Sequence, residues 1–244
     1  MTDHDPLSAK ALSLISHKLR TPLSIINGYS EAILSQAEKE KFSPFTTKAL
    51  GEINKQGSRM SSLVDKLMAF NQVFTADAEH LEKPEVTLKP LIKECASKVI
   101  AQEEDAVPVS QSGGVKRGTF IEIDCSSQLT LRANESMLRL AVQELLENAI
   151  KFNNKMEKTI KVQVVNHGDS ISICVRDYGV GIRPQDVSNI FEPFYQVDDY
   201  FTGQVGGWGL GLPMVQRILD LHNGSISVVS DRGLGSIFTL SFPL

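Results

Sequence analysis

Four short segments of this 244-residue chain combine residue types and spacings that could handle a phosphoryl group. The first is Ser16-His17-Lys18-Leu19-Arg20-Thr21-Pro22-Leu23. Leu12, Ile15, Leu19, Pro22, Ile26, Tyr29 and Ile33 recur at alternating steps of three and four, which makes one heptad seam. With Leu12 and Ile15 at a and d, His17 falls at f and faces away from the seam, so its imidazole is expected at the surface as a nucleophile. Thr21, four residues on, shares that face, and Pro22 removes a helical hydrogen bond one turn beyond the histidine. Taken alone, the segment also describes a surface histidine on a kinked helix.

The second segment is Glu144-Leu145-Leu146-Glu147-Asn148-Ala149-Ile150-Lys151-Phe152. Glu144, Asn148 and Lys151 line one helical stripe, with two oxygen-bearing side chains suited to Mg²⁺ and one ammonium suited to phosphate. The same stripe would serve as the polar face of an amphipathic helix. The third, Asp177-Tyr178-Gly179-Val180-Gly181-Ile182, follows a strand pattern. Its glycines allow a tight turn beside a flat ligand, and a carboxylate accepts hydrogen bonds from an adenine amine, although a plain turn has the same composition. The fourth, Gly206-Gly207-Trp208-Gly209-Leu210-Gly211-Leu212, runs into a helix pattern, where free backbone amides make a phosphate cradle. It lacks the Lys-Ser/Thr ending of a Walker loop and does not fit the dinucleotide fingerprint.

These residues need elements to hold them. A second heptad stripe runs through Leu50, Ile53, Gly57, Met60, Val64, Leu67, Asn71 and Phe74 after a break at Ser43-Pro44, so two antiparallel helices are expected. Two such helices leave apolar surface uncovered, and pairing two hairpins into a four-helix bundle completes them as a homodimer. The charged stretch from Ala76 to Pro84 breaks the periodicity and marks a boundary, giving a helical hairpin domain over 1–79 and a second domain over 80–244. The second domain reads as strands at 85–88, 119–123, 129–132, 160–165, 170–176, 225–229 and 236–242. Helices are expected at 90–103, 135–152 and 210–222. Strands that mostly adjoin as hairpins among interspersed helices predict an α+β sandwich with helices on one face of a mixed sheet.

Hydrophobic residues at 41%, charged residues at 22% and a net charge of −4 fit a globular protein and exclude the basic excess of a nucleic-acid binder. No apolar run reaches the ~18 residues of a spanning helix, so neither membrane contact nor a location other than the cytoplasm is expected of this segment. Cys95, Cys125 and Cys174 are widely spaced and odd in number, which predicts reduced, buried thiols rather than disulfides or zinc.

With these motifs in this order, essentially the whole chain from Leu7 to Leu244 resembles the catalytic core of two-component sensor histidine kinases. The His17 segment resembles their H box, the Asn148 run their N box, and the two glycine loops their nucleotide boxes. Phe191-Glu192-Pro193-Phe194-Tyr195 resembles the F box and Gly233-Leu234-Gly235-Ser236-Ile237-Phe238 the last glycine box. The resemblance implies that His17 is the phosphoacceptor and that Thr21 positions water for dephosphorylating the partner. It implies ATP contacts at Asn148, Lys151, Phe152, Asp177, Gly179, Gly181, Gly207, Gly209, Leu210 and Gly211, with Mg²⁺ held by Asn148 and Glu144. Residues 196–205 would form the ATP lid, a response-regulator receiver domain would be the phosphoryl acceptor, and a sensor domain or separate sensor protein would supply the input.

Two features depart from the family pattern. Lys18 stands where an acid usually follows the histidine, and the lid contains no Lys or Arg, while Trp208 replaces a small hydroxyl residue. They leave a second reading open, a nucleotide-binding signalling or phosphatase module with weak autokinase activity. A third, an ATPase related to gyrase, mismatch-repair and chaperone proteins, shares the Asn and glycine boxes but does not account for the hairpin with His17.

Overall fold

The computed structural model describes residues 9–36, 42–106, 118–197 and 207–244. The chain divides into two compact units, Met1–Thr75 and Ala76–Leu244. The first is a hairpin of two long helices, α1 (Ala9–Gln36) and α2 (Pro44–Thr75). Pro22 lies inside α1, which continues past it. Ser43 starts α2, its hydroxyl accepting the Thr46 amide at 3.1 Å and satisfying one of the open donors of the first turn.

The hairpin splits the α2 stripe between two faces and leaves every described residue of the α1 stripe exposed, turning Leu23 and Ser30 inward instead. Leu23 and Ser30 of α1 are buried with Gly57, Val64 and Val73 of α2. Asn27 lies so close to Gly57 that a Cβ there would collide with its Oδ1. Leu19, Ile26, Tyr29 and Ile33 stay exposed, as do Ile53, Met60 and Phe74. The α2 stripe, expected to form one seam, is therefore split: Gly57 and Val64 are buried, while Ile53, Met60 and Phe74 are not. Leu19, Ile25, Ile26, Tyr29 and Ile33 on α1, with Ile53, Met60 and Phe74 on α2, expose apolar surface of the extent that marks an interaction site.

The second unit is built on a five-stranded sheet in the order β2-β4-β5-β7-β6, with a two-stranded antiparallel pair, β1-β3, beside it. Its elements are β1 (Glu85–Thr87), α3 (Leu88–Ala106), β2 (Gly118–Asp124), β3 (Thr130–Arg132), α4 (Glu135–Lys151), β4 (Glu157–Asn166), β5 (Ser170–Arg176), α5 (Gly211–Leu221), β6 (Ser225–Asp231) and β7 (Gly235–Pro243). β2 pairs parallel with β4 and the other neighbours pair antiparallel, so the sheet is mixed, as expected.

Alternation within the strands fixes which face takes the helices. Ile160, Val162 and Val164 of β4, Ile171, Ile173 and Val175 of β5, and Phe238, Leu240 and Phe242 of β7 are buried, while Lys161, Gln163 and Arg176 between them are exposed. α4 supplies Leu138, Ala141, Val142, Leu145, Leu146 and Ala149 to the core, and α5 supplies Met214, Val215, Ile218 and Leu219. The three cysteines are free, but Cys174 is only half-buried, contrary to expectation. It lies at an alternate position to Ile173 and Val175, which places it on the face of β5 away from the helices. Among the described residues no helix is long and apolar enough to cross a membrane.

Candidate active site

Asn134 caps α4 by accepting the Met137 amide at 3.2 Å, and Phe152 closes the helix, its amide donating to the Asn148 carbonyl at 3.0 Å. The polar stripe of α4 lies against the loop that leads into α5. A Cβ on Gly211 would strike the Glu144 carboxylate, and one on Gly207 would strike the Lys151 ammonium. Lys151 Nζ also stands 4.4 Å from the Phe152 ring centroid, a cation–π distance. Glu144 is only 4% exposed, and Asn148 lies on the same stripe between it and Lys151. A carboxylate, an amide and an ammonium are thus gathered at the N-terminal end of α5, where free amides favour phosphate.

The end of α4 also meets the first glycine loop. The Phe152 carbonyl accepts the Val180 amide at 3.1 Å, and Gly179 packs on that carbonyl with no room for a Cβ. Asp177 Oδ1 accepts the Gly179 amide at 2.8 Å, and the Asp177 amide donates to the Ser236 carbonyl at 2.9 Å. Burial pushes the Asp177 carboxyl above its ordinary value, while hydrogen bonds from Gly179 and Ser236 pull it back. Gly181 has φ +68° against the Asp231 carbonyl, a conformation that disfavours any side chain.

Residues 183–195 form the next corner. Arg183 Nε donates to Asp186 Oδ2 at 2.6 Å and the Tyr195 hydroxyl to Asp186 Oδ1 at 2.9 Å. The Arg183 guanidinium, aided by Tyr195, holds the buried Asp186 carboxyl below its ordinary value. Tyr195 thereby anchors the entry to the lid. At the exit, Phe194 donates its amide to the Gly209 carbonyl at 2.8 Å and Gln196 Nε2 donates to the Gly207 carbonyl at 3.1 Å. The two ends of the lid are joined at its base. The lid itself beyond Val197, and Gly206, lie outside the described residues.

Expected site residues are therefore brought together in two groups, Glu144, Asn148, Lys151, Gly207 and Gly211 around the start of α5, and Phe152, Asp177, Gly179 and Gly181 around the end of α4. Gly209 (φ +66°) and the buried Leu210 connect the lid base to α5. His17 and Thr21 lie in α1, Thr21 exposed and one turn after the histidine. The side chains of His17 and Lys18 are outside the described residues. Sequence reading missed Arg183 and Asp186, placed Ser236 in the last glycine box without its contact to Asp177, and missed Asn153, which is 2% exposed with its Nδ2 unpaired. Only the Arg183–Asp186 pair, three residues apart, left a local trace in the sequence.

Residues 8–73 match the His Kinase A (phospho-acceptor) domain, and residues 133–244 match the Histidine kinase-, DNA gyrase B-, and HSP90-like ATPase family. The chain is a two-component histidine kinase catalytic core, a phospho-acceptor domain followed by a histidine kinase-type ATPase domain. Among its relatives, the phosphate regulon sensor protein PhoR of Pseudomonas aeruginosa is 30% identical over 228 residues, covering 93% of this chain and 48% of PhoR. The sensor-like histidine kinase SenX3 of Mycobacterium tuberculosis is 30% identical over 233 residues, 94% of this chain and 52% of SenX3. The chain spans about half the length of these curated relatives. Among solved structures, full-length ShkA in complex with AMPPNP superimposes with a TM-score of 0.71 at 25% identity, over 96% of this histidine kinase core and 46% of that chain. The mycobacterial sensor histidine kinase MprB, at 20% identity and a TM-score of 0.53 over 66% of this chain, shares the fold.

Proposed function

We propose that this core is an ATP-dependent protein-histidine kinase, with residues 1–79 as phosphoacceptor and dimerisation domain and 80–244 as catalytic domain. The observation that carries the reading is the contact of the α4 stripe, Glu144 and Lys151, with the glycine loop at the start of α5. In support, YkoH of Bacillus subtilis, 30% identical over 227 residues, is named a sensor histidine kinase and SenX3 a sensor-like one, and the ShkA structure holds the ATP analogue AMPPNP.

In this mechanism Asp177 receives the adenine amine, Gly179 and Gly181 let the backbone approach the ring, and Phe152 borders the same pocket. Gly207, Gly209, Leu210 and Gly211 shape the phosphate side, where Lys151 neutralises charge. Glu144 and Asn148 present hard oxygen donors of the kind Mg²⁺ takes together with substrate phosphates. Bound there, Mg²⁺ would supply charge neutralisation to the phosphates. A neutral imidazole nitrogen of His17 attacks the terminal phosphorus, the N–P bond forms as the bond to the β–γ bridging oxygen breaks, ADP leaves, and the imidazole loses a proton. The phosphoryl group then passes to an aspartate of a receiver domain, and Thr21 orients water for hydrolysis of that aspartyl phosphate, which releases inorganic phosphate. Positioning and charge neutralisation supply most of the catalysis in such transfers.

Nucleotide recognition is testable without turnover. Calorimetry should show ATP and ADP binding to the chain, and Asp177→Asn should weaken it by ~10- to 100-fold, the scale of a hydrogen bond to a charged acceptor at roughly 1.5 to 3 kcal/mol. Unchanged affinity would make the first glycine loop a turn and remove the adenine assignment.

The exposed stripes on α1 and α2 point to a second copy of the hairpin as the bundle partner. Light scattering should give twice the chain mass, and Ile53→Asp should give a monomer, because Ile53 is already 47% exposed in the single chain and an unpaired charge is costly only when a partner covers it. A wild-type monomer at tens of micromolar would end the bundle argument.

A further inference from the structure

The segment between the hairpin and the first strand, residues 76–84, has no regular secondary structure, yet it is fastened along its length to the ATPase unit. At its start, Arg217 of α5 donates from Nη2 to the Ala76 carbonyl at 3.1 Å. Asp77 folds the next residues onto themselves, Oδ1 accepting the Glu79 amide at 3.0 Å and Oδ2 pairing with His80 Nδ1 at 2.9 Å. Near its end, Asn134 Nδ2 donates to the Glu82 carbonyl at 3.3 Å and the Ala133 amide to the Pro84 carbonyl at 3.1 Å.

The groups that hold the segment belong to the two helices that carry the nucleotide residues. α4 ends in Lys151 and Phe152 beside the glycine loops and begins at Asn134, ~25 Å away at 1.5 Å per residue. α5 begins at the glycine loop and ends at His222. The far ends of the helices are tied to each other, the Asn134 amide donating to His222 Nε2 at 2.9 Å while His222 Nδ1 donates to the Ile218 carbonyl at 2.7 Å. Burial holds the imidazole below its ordinary pKa, so Nε2 stays an acceptor. The pair therefore spans from the nucleotide loops to the segment that joins the hairpin.

We propose that residues 76–84 are a strap closed onto the ATPase unit, that the chain pivots at the Thr75–Ala76 junction, and that Arg217 is the positioning residue that closes the strap. The inference rests on the histidine kinase reading for its consequence. With the strap closed, the free tether between the hairpin and the ATPase unit is the Thr75–Ala76 junction alone. With it released, residues 76–84 add up to ~30 Å of reach at ~3.4 Å per residue. Effective concentration falls roughly as the −3/2 power of tether length, so an open strap dilutes the nucleotide around His17 without altering its binding.

The test uses the full chain and a glutamate-specific protease, which cuts after Glu79 and Glu82 within the strap. Arg217→Ala should raise native-state cutting at these sites by about tenfold, with Arg217→Lys in between, because the charged donor closes a local opening equilibrium. ATP affinity by calorimetry should stay within about twofold, and labelling of the chain by γ-labelled ATP should slow by roughly three- to tenfold. Equal cutting in wild type and both variants overturns the strap. Loss of ATP affinity in step with faster cutting overturns it as well, since Arg217 would then support the nucleotide site itself. Should Arg217→Ala unfold the unit by circular dichroism, Arg217→Lys carries the same comparison. Failure of wild type to label would sink the kinase reading alone, because cutting needs no turnover.

Discussion

Gly179→Ala is expected to abolish nucleotide binding. A Cβ at this position meets the Phe152 carbonyl oxygen and carbon, both backbone atoms, so no side chain can rotate away to make room. If the loop moves, it loses the Val180-to-Phe152 hydrogen bond at 3.1 Å and drags the Asp177 carboxylate, whose Oδ1 holds the Gly179 amide. If instead the end of α4 moves, Lys151 leaves the glycine loop. Overpacking of this kind costs ~1 to 3 kcal/mol in stability. The larger effect is on the site, where a misplacement of ~1 Å can cost ~10²-fold. Calorimetry should therefore show ATP affinity down by about 100-fold or more, with a lowered melting temperature in a protein that still folds. Affinity within about threefold of wild type would mean that the loop does not border the nucleotide.

Lys18→Glu is expected to speed phosphorylation of His17 by at least about tenfold. An imidazole nitrogen attacking phosphorus must be neutral and oriented, and an adjacent acid can hold the opposite ring nitrogen and take its proton. A charged Lys18 has no lone pair to offer and can do neither. Its ammonium also disfavours the cationic imidazole, which leaves more neutral nucleophile, so the two effects oppose each other. General base assistance typically contributes ~10² to 10⁴ in rate, whereas the effect of one neighbouring charge on the imidazole is screened by salt, and the lost base wins. Initial rates of labelling at saturating ATP decide the matter. An unchanged or lower rate in Lys18→Glu removes the role given to Lys18.

Local pattern carried most of this fold. β5, Ser170–Arg176, alternates polar and apolar residues from Ser170 to Ile173, and its bounds in the structure are those expected. α4 was legible from its amphipathic pattern, with Glu144, Asn148 and Lys151 on one polar stripe, and the glycine-rich approach to α5 marked where that helix begins. Other features depend on partners distant in sequence. The parallel pairing of β2 with β4 joins strands separated by β3 and α4, and no hairpin signal announces it. The heptad stripe of α2 was read as one seam because periodicity gives a face and not its occupant, and the hairpin assigns Gly57 and Val64 to α1 while leaving Ile53 and Met60 exposed. At the site, motif order identified Asp177, Gly179 and Lys151. Ser236, which bonds Asp177 across the sheet, lay inside the last glycine box without a role of its own, and Arg217, which holds Ala76, and His222, which holds Asn134, carry no such signal.

The measurement that bears most directly on this account is labelling of the wild-type chain and of His17→Gln with γ-labelled ATP and Mg²⁺, followed by acid and base treatment of the product. The account predicts an acid-labile, base-stable label on the wild type and none on His17→Gln at equal nucleotide affinity. Label that survives in His17→Gln, or that resists acid, would contradict it.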